Sequence, residues 1–121
     1  MSNQNIKGYV FDVEDNTGPR AIITPAEQES VIGAVVKMDG RASFDTAINP
    51  SNTINYHWEF SRVPIGSQVA LEGFLSLDPD SSVVTFAPDI RGFYEVQLIV
   101  DDGSIFSDPF IASVDVSIIV V

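Results

Sequence analysis

The chain has 121 residues, 45% hydrophobic and 19% charged, the make-up of one folded domain rather than a disordered segment. Six basic and seventeen acidic residues give a formal charge of −11, which tells against a nucleic-acid backbone or an anionic membrane as partner. With no cysteine and a single histidine, His57, the chain holds no disulfide, no thiolate nucleophile, no sulfur metal site and no multi-histidine site.

Residues 1–18 stand apart from the rest. Residues 6–13 place Tyr9, Phe11 and Val13 on one face of an extended segment, and residues 12–18 (DVEDNTG) are acidic and turn-like. They are read as an arm or an added edge strand, with residues 19–121 as the domain proper. The opening MSNQNIKG lacks the apolar middle of a secretory signal. If Met1 is the native start, the expected place of the protein is the cytoplasm, or an assembly built there.

From residue 19 onward the dominant period is two. A short strand is expected at 21–23, and residues 25–30 form a helix candidate too short to matter. Further strands are expected at 34–38 and 54–60, the latter with Ile54, Tyr56, Trp58 and Phe60 alternating against Asn55, His57 and Glu59. Residues 68–71 and 83–86 read as short strands. Tyr94, Val96, Leu98 and Val100 carry the next, and Ala112, Val114, Val116 and Ile118 the last. Between them lie turn formers: Asp39-Gly40, Asn49-Pro50, Pro64-Ile65-Gly66, Asp78-Pro79-Asp80, Ala87-Pro88-Asp89, Arg91-Gly92 and Asp101-Asp102-Gly103. About seven short strands at such spacing predict an all-β antiparallel sandwich. The expected core is Val36, Met38, Tyr56, Trp58, Phe60, Leu71, Val84, Phe86, Tyr94, Val96, Leu98, Val100, Val114 and Val116. Trp58 is its central anchor, and Tyr94, two residues after Gly92, is placed to hydrogen-bond a nearby backbone.

Over about residues 19–120 the sequence resembles the PKD-like branch of immunoglobulin-like β-sandwiches. The resemblance is carried by Pro19-Arg20-Ala21, by Val36-Lys37-Met38-Asp39-Gly40-Arg41-Ala42-Ser43 followed by Phe44-Asp45, and by Tyr56-His57-Trp58-Glu59-Phe60. Pro64-Ile65-Gly66-Ser67 with Ala70-Leu71, then Thr85-Phe86-Ala87-Pro88-Asp89 and the run from Gly92 to Gly103, complete it. Residues 46–53 lack the acidic run common in that family, and the arm lies outside its pattern.

No enzyme is expected. By alternation His57 shares a face with Asn55 and Glu59, opposite Trp58, as a solvent-facing strand residue does. There is no G-x-S-x-G elbow and no glycine-rich phosphate loop before a helix. Paired carboxylates such as Asp78/Asp80 and Asp101/Asp102 have no evident cleft to face into. No cofactor is expected. Calcium candidates are Asp39, Asp45, Asp101 and Asp102, with Asp78 and Asp80 beside them; turn capping and solvation are the expected roles of all six. Contact with a partner is expected through Tyr9, Phe11, Val13, Phe74, Leu75, Ile119 and Val121. Phe74, Leu75, Leu77, Phe106 and Phe110 also suit end-caps of the core. The run Ile118–Val121 (IIVV) is apolar on both faces.

The resemblance implies a structural or interaction module, with virion components of tailed phages that decorate a capsid or tail as the first expectation. Spacer or adhesion modules of bacterial surface proteins and extracellular hydrolases are the alternative, and glycan binding a third reading.

Overall fold

The structure is a computed structural model and describes residues 18–45 and 53–118. The expected contacts Tyr9, Phe11, Val13, Ile119 and Val121, and the turn at Asn49-Pro50, lie outside the described residues.

Among the described residues nine strands and one helical turn follow in order: β1 (Pro19–Arg20), β2 (Glu27–Val31), β3 (Val36–Asp39), β4 (Phe44–Asp45), β5 (Asn55–Arg62), α1 (Val69–Glu72), β6 (Leu75–Ser76), β7 (Val83–Phe86), β8 (Gly92–Asp101) and β9 (Phe110–Ser117). A four-stranded sheet in the order β2-β9-β8-β5 faces a three-stranded sheet in the order β3-β7-β6, and β1 pairs with β4. All pairs are antiparallel except β2 with β9, which runs parallel from Glu27↔Ser113 to Val31↔Ser117. The expectation of a wholly antiparallel sandwich is corrected at that edge.

Alternation explains the core. Tyr94, Val96, Leu98 and Val100 of β8 and Ala112, Val114 and Val116 of β9 point inward onto Val36, Met38, Val84 and Phe86 of the other sheet. Tyr56, Trp58 and Phe60 pack on this cluster but are only partly buried, because β5 is the outer strand of its sheet. Ile23 and Ala21 are buried although residues 21–23 form no ladder. Ile22 N–H donates instead to the Ser43 hydroxyl (2.9 Å), a side chain standing where a neighbouring strand would.

Two local expectations fail for identifiable reasons. Residues 25–30 are not helical: the backbone from Glu27 onward is taken by the ladder to β9, which outweighs the helix preference of Glu27-Gln28-Glu29. Residues 68–71 are not a strand. Asp89 accepts the Gln68 N–H (2.7 Å) and the Ser67 hydroxyl (2.6 Å), and Ser67 Oγ accepts the Val69 N–H. The chain is thereby started into a single turn that Gly73, at φ 78°, ends. Val69 faces the core and Leu71, expected inside, is 84% exposed. Gly40, just after β3, is a glycine for a different reason. Its φ is not in the left-handed region; a Cβ there would stand 3.0 Å from both Leu98 Cδ2 and Trp58 Cζ2, so space and not backbone angle calls for glycine.

Candidate interaction surface

β5 and β6 are outer strands of their respective layers. Aromatic rings on and beside them pack together. Phe60 stacks on Phe74 at 4.3 Å between centroids and meets Phe86 edge-on at 4.9 Å, while Trp58 lies 6.2 Å from Phe74. Phe74 reaches this cluster because the chain turns sharply at Gly73. The same turn leaves a cleft of about 260 Å³ lined by Trp58, Glu59, Phe60, Ala70, Gly73 and Phe74.

Three leucines nearby in the chain are exposed. Leu71, Leu75 and Leu77 are 84%, 69% and 54% exposed, on α1, on β6 and just after it. Of the residues named from sequence as partner contacts, Phe74 therefore sits half-buried in the aromatic cluster and Leu75 points to solvent. Leu71 was missed as a surface residue. Ser67, a helix-starting residue, followed six positions later by Gly73, a helix-stopping one, is the signal that marks the turn and turns Leu71 outward.

Beyond β6 lies a hollow of about 540 Å³ lined by Arg41, Tyr56, Asp78, Pro79, Asp80 and Ser82. Burial, then the nearby Asp80 and Asp39 charges, push the Tyr56 hydroxyl above its ordinary range. The carboxylates around it are engaged locally. Asp78 accepts the Ser82 hydroxyl (2.9 Å) and Asp80 the Ser82 N–H (3.1 Å). Asp39 takes a two-pronged contact from Arg41, at 3.0 Å from Nε and 2.7 Å from Nη2, which holds its carboxyl below the usual value.

The other calcium candidates lie at the same, leading end of β5, where Asn55 pairs with Asp101. Asp101 accepts from Asn55 Nδ2 (2.9 Å) and from the Gly103 N–H (2.9 Å) and contacts His57 Nε2. Asp102 accepts the Ser104 and Ile105 N–H groups, both at 2.9 Å, and Asp45 hydrogen-bonds it. Among the described residues no three of His, Asp and Glu gather as a metal site would require. His57 is half-exposed, its ring 5.6 Å from that of Phe106. The nearby Ser107 hydroxyl is a backbone bridge, accepting the Val100 N–H and donating to Asp108 O.

Asp101 gives the fold an acid-sensitive clip. The Asn55 amide first, then His57, hold its carboxyl below the ordinary aspartate value of 3.8. The folded state therefore binds its proton less readily than the unfolded chain. The stabilisation is complete above 3.8 and is lost as pH falls through the lower folded value. Thermal unfolding of Asp101→Asn and of the unaltered protein, followed from neutral pH downward, is expected to show a gap that narrows only in that acid range. A gap constant with pH would remove Asp101 as the cause.

No protein-family model matches the sequence, and no curated protein matches it. Among solved structures, the solution structure of the PKD domain from the KIAA 1837 protein matches at 21% identity and a TM-score of 0.57, covering 87% of this chain and 91% of that one. The fold is a PKD-like, immunoglobulin-like β-sandwich. Among the described residues no helix is long and apolar enough to cross a membrane.

Proposed function

We propose that the chain is a non-enzymatic interaction module of a larger assembly, a decorating component of a tailed-phage capsid or tail. The observation that carries this reading is the exposure of three leucines, Leu71, Leu75 and Leu77, on α1, on β6 and just after it. Burying a leucine side chain is worth about 1.5–3 kcal/mol, so covering three offsets a large part of the entropy lost on docking. The −11 charge favours solubility of the unassembled chain. In this reading residues 1–18 are the anchoring arm, residues 19–121 the domain it carries, and the virion the location. Contacts are with other virion proteins.

Binding to purified particles tests it. The double variant Leu71→Ser, Leu75→Ser is expected to keep its stability within about 0.5 kcal/mol, as exposed positions do, while co-sedimentation with particles falls at least about tenfold. Undiminished binding of this variant rejects the leucine surface, and undiminished binding after deletion of residues 2–18 rejects the arm as anchor.

A second reading is a spacer or adhesion module of a secreted or cell-surface protein, and one observation favours it: the solved structure it matches is a domain taken from a protein. Capsid or tail genes beside the reading frame support the first reading. A frame continuing into further extracellular domains, or specific retention on a glycan array, supports the second.

A further inference from the structure

The outer side of β5 carries a pattern that fits a copy of itself. Val100 donates its N–H to Ser107 Oγ (3.0 Å) and accepts the Ser107 N–H on its carbonyl (2.7 Å), so its backbone groups face away from β5. Backbone direction alternates along an antiparallel strand. Asp101, Ile99 and Gln97 therefore face β5 and bond their partners Asn55, His57 and Glu59. Tyr56, Trp58 and Phe60 are left with N–H and C=O groups pointing outward from the sheet. Among the described residues no strand pairs with that side of β5. The stretch 55–60 holds neither proline nor lysine, the usual guards of an exposed edge, and its bulge comes only between Phe60 and Arg62.

We infer that β5 is an interface for a second copy of this chain, the two strands pairing antiparallel about a two-fold axis at Trp58. This register sets Trp58 against Trp58 and Tyr56 against Phe60 of the second copy. The outward groups of those three residues then form about six hydrogen bonds between the chains. It also sets His57 against Glu59 of the second copy, twice by symmetry, on the exposed face of the strand. Moving the axis one residue forward places Glu59 against Glu59, a like-charge pair that opposes pairing; moving it one back places His57 against His57. Only the register at Trp58 sets the His57 imidazole against the Glu59 carboxylate outside and aromatic rings inside. It continues two four-stranded sheets into one of eight, and an isologous contact of this kind closes without propagating. The −11 charge on each copy opposes the encounter, so association is to strengthen with salt.

The chain has no cysteine, which makes the register directly readable. Residues directly opposite at a non-hydrogen-bonded position have Cα atoms about 4.5 Å apart, within disulfide reach. Under mild oxidation a mixture of H57C and E59C is expected to give interchain disulfide at least about tenfold above either variant alone. Circular dichroism verifies that both variants are folded. The unaltered protein is expected to rise towards twice its monomer mass by light scattering as concentration approaches about 1 mM, and at lower concentration in about 0.5 M salt than in about 0.05 M. A mixture that cross-links no better than E59C alone overturns the register. A mass that stays monomeric at about 1 mM in high salt overturns the interface.

Discussion

Replacing Trp58 with alanine is expected to lower stability by about 3 kcal/mol, the lower part of the range for a large aromatic, since the indole is only partly buried. Two losses combine. The indole fills the space over Gly40, where a Cβ would already stand 3.0 Å from its Cζ2, and faces the Phe74 ring. Its Nε1–H donates to Ser81 O at 2.7 Å, and the side chain thereby ties β5 to the turn before β7 across the two layers. Trp58→Phe keeps much of the packing and loses the hydrogen bond, so a smaller cost of about 1–2 kcal/mol is expected. Urea denaturation followed by circular dichroism measures both. A change below about 1 kcal/mol in the alanine variant would remove Trp58 as the tie between the layers.

The second large effect is expected from one oxygen atom. Tyr94 is fully buried, its hydroxyl donating to Ile90 O (2.6 Å) and accepting the Ile90 N–H (3.1 Å), with Asp89 Oδ1 at 3.2 Å. Tyr94→Phe leaves the ring against Phe86 and orphans both backbone groups, a cost of about 1–3 kcal/mol. Asp89 also holds the start of α1 through Gln68 and Ser67, which keep its carboxyl below the usual range. The corner and the helical turn therefore share a residue. A double-mutant cycle between Tyr94→Phe and Asp89→Ala is expected to show a coupling of at least about 0.5 kcal/mol. A Tyr94→Phe cost below about 0.5 kcal/mol would show that the corner contributes nothing.

The long strands were legible in the sequence because a period of two over seven or eight residues has one interpretation. β5, β8 and β9 follow it, and so does the burial along β8 and β9. The short elements were not. Residues 25–30 and 68–71 carry no period long enough to outvote their surroundings: one was decided by a parallel partner some 86 residues away, the other by the Asp89 carboxylate from a distant turn. The surface was legible in part. Leu75 was named as a partner contact, whereas Leu71 was hidden by its reading as a strand residue. The outward backbone of β5 was invisible for a simpler reason. Sequence alternation tells which face a side chain takes, and says nothing of which strand is outermost.

The parallel run of β2 beside β9 has a mechanical consequence. Tension applied at residues 18 and 118 draws β2 by its leading end and β9 by its trailing end, in opposite directions along a shared axis. Their bonds are then loaded together in shear and must break together. The antiparallel β1–β4 pair, two residues long, is the first to yield and takes up slack before that load arrives. A domain strung this way resists being pulled open from those two ends better than one whose terminal strands would peel apart bond by bond.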